Sequence, residues 1–251
     1  MIYNLNQEST YLIMNIIFAS LPIFLIILFQ TYVNIYRYER KSISLQPVTS
    51  IGLSNVVSRK PLTGITFLEP AMEGVKDKPL FYRYLDKARR FFEFGSGGST
   101  YQAAKRGIFI YSVESDVKWH QKIQNDFGGN YKNIVFLTVD LHSDGNWGTP
   151  GPDTTINDWV KYSRAYKREY HCDTFLIDGR FRVACALNIF TEIDDDTIVI
   201  IHDFFNRPKY HVILDFYDIV EKGTVTVVLR KKQGIQPPSR ELLDKYEKNF
   251  Q

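Results

Sequence analysis

An acid followed at once by a glycine cluster is the first feature of this sequence that could bind a ligand. Glu93 lies in the short apolar run 91–94, and the next four residues form a glycine loop. The glycine loop consists of Gly95, Ser96, Gly97 and Gly98. Such a loop lets the backbone approach a ligand closely, and a following helix offers free N–H groups. The pattern predicts a nucleotide-type ligand, with Glu93 accepting a hydrogen bond from a ligand amine.

Two further acids follow at the ends of the next two predicted strands. Glu114 ends the second strand, and Asp140 comes directly after the third. An acid at the end of the second strand of a nucleotide-binding sheet can bind both ribose hydroxyls. Asp140 falls near the place where an adenine amine would lie. A lone glycine-rich loop is a weak signal, and these acids in sequential order strengthen it.

In this order, the motifs resemble those of the class I S-adenosylmethionine-dependent methyltransferases, over roughly residues 80–230. The loop departs from the family pattern at its end, where Gly98 is followed by Ser99. The resemblance implies S-adenosylmethionine as cofactor, with Glu93 near its methionine part, Glu114 on the ribose and Asp140 near the adenine. The family's final β-hairpin is not evident in the sequence, which leaves a seventh strand open.

The ends of the fourth and fifth predicted strands carry the residues that could act on an acceptor. Asp178 follows strand four, and His202 and Asp203 follow strand five. Methyl transfer to an oxygen needs a base or a metal ion to remove or mask the acceptor proton. His202 is the best base by its intrinsic pKa. Asp178 and Asp203 would then orient the base or hold a divalent ion.

The same residues are similar to the site of metal-dependent O-methyltransferases. That family places one Asp after strand four and an acidic or Asp-Asn pair after strand five, which Asp178 and Asp203 match. The resemblance implies a divalent metal, Mg²⁺ or Mn²⁺, at these two carboxylates. His202 departs from the family because it stands where a carboxylate is usual, and histidine is a poor ligand for Mg²⁺ but acceptable to Mn²⁺.

The acceptor side of the site is predicted from two arginines and a long loop. Arg180 and Arg182 are two residues apart, so we expect one to form a structural ion pair. The other would hold an anionic acceptor or the cofactor carboxylate. The loop 141–155 contains Trp147, and Trp159 follows it. These tryptophans either cover the acceptor pocket or pin the loop.

Alternating apolar and amphipathic segments predict the elements that position these residues. The predicted strands are 91–94, 108–114, 134–139, 174–178, 197–202 and 224–230. The predicted helices are 67–90, 99–106, 116–127, 156–169, 180–191 and 208–221, with a terminal helix after the last strand. We expect an α/β fold, a doubly wound, mostly parallel Rossmann-like sheet with helices on both faces. In that architecture ligands bind at the carboxyl ends of the strands.

The N-terminal region predicts a membrane anchor. Residues 11–33 carry no charge and are long enough to cross a bilayer, although a buried or surface-lying helix is the alternative. Basic residues follow this segment and none precedes it, which predicts a single-pass protein with its C-terminal body in the cytoplasm. The predicted divisions are an anchor over 1–41, a linker over 42–65 and a methyltransferase-like domain over 66–251.

Composition limits the remaining function classes. The chain has 251 residues and a formal charge of +3, and nucleic acid is therefore not an expected partner. Cys172 and Cys185 are too few for a disulfide framework and predict buried thiols. The predicted function is O-methylation of a small molecule, a glycan or a membrane-associated acceptor. A non-catalytic tethered scaffold is the alternative, and a nicotinamide-dependent enzyme fits the glycine spacing less well.

Overall fold

The computed structural model describes residues 68–250, apart from residues 144 and 146. The predicted span 11–33 and the linker 42–65 lie outside these residues, so the anchor stays a prediction. Within the described ranges, no helix combines the length and apolar character that a bilayer crossing requires.

A seven-stranded sheet forms the centre of the described domain. Its strands are β1 (Arg90–Phe94), β2 (Phe109–Glu114), β3 (Ile134–Thr138), β4 (Thr174–Ile177), β5 (Ile198–Ile201), β6 (Tyr217–Lys222) and β7 (Val227–Lys231). The order across the sheet is β3-β2-β1-β4-β5-β7-β6. The first five strands are parallel, and β7 runs antiparallel to both β5 and β6. The predicted mostly parallel Rossmann-like sheet is confirmed.

Helices cover both faces of the sheet. They are α1 (Asp77–Leu85), α2 (Gly98–Lys105), α3 (Val117–Asp126), α4 (Ile156–Ser163), α5 (Arg182–Ile189) and α6 (Arg240–Glu247). Alternate residues of β1 separate the two cores, since Phe91 packs with α1 residues and Phe92 packs with α5 residues. Parallel strands that are buried on both faces need such continuous apolar runs. Asp116 caps α3, because its carboxylate accepts the N–H of Trp119 at 3.0 Å.

The predicted helix 208–221 is wrong in its second half. The structure has a 3-10 helix over Pro208–Asp215, followed by strand β6 and a hairpin into β7. Tyr217 and Ile219 alternate with more exposed neighbours, which is the two-residue period of a strand. The register of β6 against β7 shifts between Ile219 and Glu221, where two steps along β6 match one step along β7, as in a β-bulge. The hairpin that the sequence left open is therefore present, and it supplies the sixth and seventh strands.

Several other predicted elements are longer than the elements that the structure shows. The predicted helix 67–90 is reduced to α1, and the predicted helix 156–169 becomes α4 followed by a 3-10 turn at Arg168–Tyr170. The predicted strand 224–230 starts later, because Gly223 to Thr226 form the hairpin turn. Cys172 and Cys185 are both buried thiols, as predicted.

Candidate functional site

The candidate site lies at the carboxyl ends of the parallel strands. The strand order reverses between β1 and β4, and the glycine loop begins directly after β1 at this switch point. Open α/β sheets bind ligands in the crevice at such a position. The residues that follow β2, β4 and β5 reach the same edge of the sheet, because these strands are parallel neighbours.

The glycine loop is shaped by close backbone contacts. Gly95 has a φ of +96°, and a Cβ there would lie 2.9 Å from the backbone of Gly179 after β4. A Cβ on Gly98 would lie 2.0 Å from the carbonyl oxygen of Glu69. Gly97 differs, since a Cβ there would meet nothing within 4 Å. The loop therefore leaves open space above Gly97, while the glycines on either side are fixed by the fold.

Glu93 supports the glycine loop from beneath. Its side chain is fully buried, and it accepts hydrogen bonds from the hydroxyls of Ser99 at 2.6 Å, Ser112 at 2.6 Å and Thr100. Burial raises the pKa of this carboxyl to about 7, although the three hydroxyl donors act in the opposite direction. Both carboxylate oxygens thus have partners within the protein. The predicted contact with a ligand amine stays a prediction.

Glu114 joins the end of β2 to the glycine loop. Its Oε2 accepts the backbone N–H of Ser96 at 2.9 Å, and its Oε1 accepts those of Ser115 and Asp116 at 2.7 and 3.0 Å. Burial raises the pKa of the carboxyl, and the backbone donors offset part of that effect. Among the described residues, Ser96 is the one donor to Oε2, so this oxygen retains capacity for a second donor.

The loop after β3 lies against the same region. Asp140 is half exposed, and its Oδ1 accepts the backbone N–H of His142 at 2.7 Å. The carbonyl oxygen of Trp147 accepts a hydrogen bond from Arg180 Nε at 2.7 Å, whereas the Trp147 side chain is 82% exposed. Trp159 donates its indole N–H to Thr154 at 2.9 Å, which pins the end of this loop. The backbone of Trp147, and not its ring, makes the described contact with the crevice.

Arg182 lies between the two aspartates that follow β4 and β5. Its guanidinium nitrogens are 3.1 Å from Asp178 Oδ1 and 3.3 Å from Asp203 Oδ2. It also donates to the carbonyl oxygens of Gly179, Asp178 and His202, the last at 2.6 Å. Arg182 is therefore the arginine of the predicted structural ion pair.

The two carboxyl groups differ in their electrostatic surroundings. Burial raises the pKa of Asp178, and nearby Asp203 adds to that rise. Burial also acts to raise the pKa of Asp203, but Arg182 and the other neighbouring cations outweigh it and hold the pKa below its usual range. Among these cations, Arg207 lies 2.8 Å from Asp203 Oδ2. Asp203 is the more strongly ionised member of the pair.

His202 is buried beside this ion-pair network. Its Nδ1 lies 2.9 Å from Thr226 Oγ1, and its Nε2 lies 3.6 Å from Asp203 Oδ1. Asp203 adopts a left-handed backbone with a φ of +56°, and so does Phe181 after β4 with a φ of +54°. Non-glycine residues in this region store strain that the surrounding structure must support, and such residues cluster at functional sites.

The arrangement does not fit a divalent ion at Asp178 and Asp203. A metal would have to displace Arg182, which contacts both carboxylates and carries the positive charge that such an ion would supply. Across the described ranges, no group of three or more His, Cys, Asp or Glu side chains is placed to hold a metal ion. The metal stays a prediction of the resemblance, and no step below depends on it.

Sequence reasoning missed three polar residues that hold the site. Ser112 bonds to Glu93, Thr226 bonds to His202, and Tyr162 is fully buried with its hydroxyl against Gly179. Ser112 gave a signal, because it is a small polar residue between Tyr111 and Val113 inside a predicted buried strand. Tyr162 and Thr226 gave none, since their contacts join elements far apart in sequence.

Comparison with solved structures finds similarity to a methyltransferase-like protein. A methyltransferase-like protein from Silicibacter pomeroyi has 26% sequence identity and a TM-score of 0.62 to this chain. The match covers 72% of this chain and 98% of that protein. No protein-family model and no curated protein matches the sequence.

More distant similarities share parts of the fold only. A methyltransferase of the mycinamycin biosynthetic pathway, in complex with Mg and SAH, has 13% identity and a TM-score of 0.40; the match covers 66% of this chain and 51% of that one. An SAH-bound methyltransferase from Podospora anserina has 15% identity and a TM-score of 0.40, with coverages of 62% and 78%. The similarity to the methyltransferase-like protein from Silicibacter pomeroyi confirms, for the fold, the resemblance predicted from the glycine loop: the chain has a Rossmann-like fold.

Proposed function

We propose that the domain binds S-adenosylmethionine at the glycine loop and methylates an oxygen atom of an acceptor. The observation that carries the proposal is Glu114, whose buried carboxylate closes the glycine loop through Ser96. The similarity in fold to the methyltransferase-like protein from Silicibacter pomeroyi supports the same class of reaction.

The residues at this edge of the sheet fit the cofactor. Glu114 Oε2 has capacity for a ribose hydroxyl, and the space above Gly97 is open for a ligand. Asp140 is exposed at the end of the next strand, where it can accept a hydrogen bond from an adenine amine. When bound there, S-adenosylmethionine supplies a methyl group on a cationic sulfonium.

The residues after β4 and β5 remove the acceptor proton and bind the acceptor. His202 takes the acceptor proton at Nε2, and the carboxylate of Asp203 stabilises the imidazolium that results. Arg182 holds Asp203 and Asp178 in place and balances their charge. Arg180, on the loop between Asp178 and Arg182, would bind an anionic part of the acceptor.

The proposal extends to the N-terminal region and to the kind of acceptor. Residues 11–33 anchor the chain in a membrane, and the basic residues after this segment keep the domain on the cytoplasmic side. An anchored domain meets membrane-associated acceptors, including lipid-linked glycans, at high local concentration. Alkaline carbonate extraction of cell membranes tests the anchor: the full chain should stay in the pellet, and a chain without residues 1–41 should be released.

The cofactor is tested by titrating S-adenosylhomocysteine into the full chain in mild detergent and following the heat of binding. Glu114→Gln should weaken binding by about ten-fold or more, because a hydrogen bond to a charged group contributes about 1.5–3 kcal/mol. Glu221→Gln is the matched control, since this carboxylate pairs with Arg83 on the surface. Thermal melting checks that each variant is folded.

Either alternative function would give a different result in the same titration. A folded wild-type chain that binds neither S-adenosylhomocysteine nor a nicotinamide dinucleotide would leave the tethered scaffold as the function. Tighter binding of the dinucleotide than of S-adenosylhomocysteine would instead support a nicotinamide-dependent enzyme.

A further inference from the structure

Asp77 is a buried acid that neither the glycine loop nor the acceptor site uses. It begins α1, it is fully buried, and its Oδ1 accepts the backbone N–H groups of Thr224 at 2.7 Å, Val225 at 3.2 Å and Thr226 at 3.2 Å. A buried carboxylate is stable when several N–H groups donate to it. Asp77 therefore fixes the backbone of the β6–β7 turn.

Two glycines allow this close approach. A Cβ on Gly74 would lie 1.9 Å from Asp77 Oδ2, and a Cβ on Gly223 would lie 2.2 Å from Asp77 Oδ1. Real side chains do not approach so closely, and the carboxylate would have to move if either residue were larger. The position of Asp77 thus requires glycine at positions 74 and 223.

The β6–β7 turn, which Asp77 fixes, also holds the segment after β5. The carbonyl oxygen of Val225 accepts the N–H groups of Phe204 at 2.6 Å and Phe205 at 3.1 Å. Thr226 Oγ1 lies 2.9 Å from His202 Nδ1. Thr226 is fully buried and His202 is 6% exposed, so bulk water has little access to this contact. One turn thereby sets both the backbone after His202 and the direction of its ring.

The tautomer of the His202 ring determines which nitrogen can act as a base. A neutral imidazole carries its proton on one nitrogen and a lone pair on the other, and the Thr226 hydroxyl can accept from an Nδ1–H or donate to an Nδ1 lone pair. The distance of 3.6 Å between Nε2 and Asp203 Oδ1 is too long for a hydrogen bond that would hold a proton at Nε2. The close partner of the ring is thus Thr226.

We propose that Asp77 and Thr226 are positioning residues for His202: Asp77 fixes the turn, and Thr226 Oγ1 accepts the Nδ1–H, which leaves the lone pair on Nε2. This inference rests on the proposed function for the role of His202 as the base. In the proton transfer, the O–H bond of the acceptor breaks, Nε2 gains the proton, and the imidazolium keeps its Nδ1–H on Thr226. Asp203 faces Nε2 and balances the new charge.

Nitrogen NMR of the histidine rings tests the proposal without a cofactor or an acceptor. The full chain is labelled with ¹⁵N-histidine, and His202→Gln identifies the signal of His202 in long-range ¹⁵N–¹H spectra. We expect the wild type to carry the proton on Nδ1. Thr226→Ser should keep that tautomer, whereas Thr226→Val, which removes the acceptor at nearly the same volume, should move the proton to Nε2 in a large fraction of molecules.

Asp77→Ala should broaden or shift the same signal, because the turn loses three hydrogen bonds. If Asp77→Ala does not fold, the comparison of Thr226→Ser with Thr226→Val tests the proposal alone. A wild type with the proton on Nε2, or a Thr226→Val variant with an unchanged tautomer, would overturn the proposal. Titration of S-adenosylhomocysteine into the same samples separates this result from the proposed function, since the tautomer is measured whether or not the cofactor binds.

Discussion

At the scale of single residues, the guanidinium of Arg182 decides what the two aspartates of the crevice can do. Its side chain is 10% exposed, and it contacts Asp178 and Asp203 together with three carbonyl oxygens. Guanidinium presents five donors in a fixed plane, which suits several oxygens at once. Arg182 therefore balances one of the two negative charges from within the protein, Arg207 adds a second cation at Asp203, and Asp203 still lies beside His202.

Replacing this cation should remove the partner that Asp178 and Asp203 share. We expect Arg182→Met to lower the free energy of unfolding by about 3–5 kcal/mol, because removing one side of a buried ion pair leaves charge uncompensated. Urea denaturation measures the change. Arg89→Met is the control, since Arg89 is 84% exposed in its ion pair with Asp173 and such pairs contribute about 0–1 kcal/mol.

The same variant tests whether Arg182 takes the place of a metal ion. Mn²⁺ should stabilise Arg182→Met and bind to it, as measured by the loss of the free Mn²⁺ signal in electron paramagnetic resonance. The wild type should show little binding under the same conditions. Strong binding of Mn²⁺ by the wild type that Asp178→Asn abolishes would contradict this view and support the predicted metal site.

Residue types alone predicted which groups meet in the crevice but not how they pair. Asp178, His202 and Asp203 could be brought together because neighbouring parallel strands end at one edge. The choice between Arg180 and Arg182 could not be made from spacing. It depends on contacts with distant segments: Arg180 donates to the carbonyl oxygen of Trp147, and Arg182 reaches Asp203 after β5.

At the scale of elements, the loops after β1 and β4 are packed as one unit. Gly95 and Gly179 lie backbone to backbone, and a Cβ on Gly179 would lie 2.1 Å from the hydroxyl oxygen of Tyr162 on α4. Burial raises the pKa of that hydroxyl well above its usual value, so the ring stays neutral. The glycine loop, the loop after β4 and α4 therefore constrain one another.

A double-mutant cycle measures this constraint. Gly179→Ala should be destabilising by about 1–3 kcal/mol, as expected for overpacking in a close-packed site. Tyr162→Phe removes the atom that the new methyl group would meet, and we expect part of the loss to be recovered in the double variant, with a coupling of about 0.5–3 kcal/mol. Urea unfolding of the four proteins gives the coupling, and strictly additive changes would contradict the contact.

The elements themselves were predictable where their pattern was long and uniform. The five parallel strands are short and mostly apolar, with polar exceptions such as Glu93 and Ser112, which is typical of a sheet covered on both faces. The β6–β7 hairpin was missed because the apolar residues of 208–221 also fit a helical period. In addition, apolar Val220 occupies an exposed position of β6, so the two-residue period is not visible in the sequence.

At the scale of the whole molecule, two buried groups make stability depend on pH in opposite directions. Burial raises the pKa of Glu93 from 4.5 to about 7, and it lowers the pKa of His120 from 6.5 to about 4. Between pH 4.5 and about 7 the folded protein retains the proton of Glu93, whereas the unfolded chain releases it. The folded protein lacks the proton of His120, which the unfolded chain binds.

The sign of each contribution follows from this difference. The contribution of Glu93 is lost as pH rises from about 4.5 to 7, and that of His120 is lost as pH falls from about 6.5 to 4. Glu93→Gln should therefore gain stability relative to the wild type as pH rises through the first window, by up to about 3 kcal/mol. Urea unfolding at several pH values measures the difference.

A matched variant gives the opposite trend. His120→Gln removes the other buried group, and its stability relative to the wild type should increase as pH falls through the second window. Parallel pH profiles for the wild type and both variants would show that neither group titrates with folding. The pH dependence of these two groups could not be predicted from the sequence, because Glu93 was interpreted as a ligand contact and His120 gave no signal.

The bulge in β6 has a consequence for how the molecule behaves at high concentration. In the described part of the chain β6 pairs only with β7, which leaves its outer side as an open edge of the sheet. An open edge can recruit a strand from another copy and start aggregation. The bulge breaks the regular spacing of the edge, and the charged side chains of Asp218, Glu221 and Lys222 line the same strand. The bulge and the charges of this edge strand therefore disfavour pairing with a strand of another copy, which would extend the sheet from one molecule to the next.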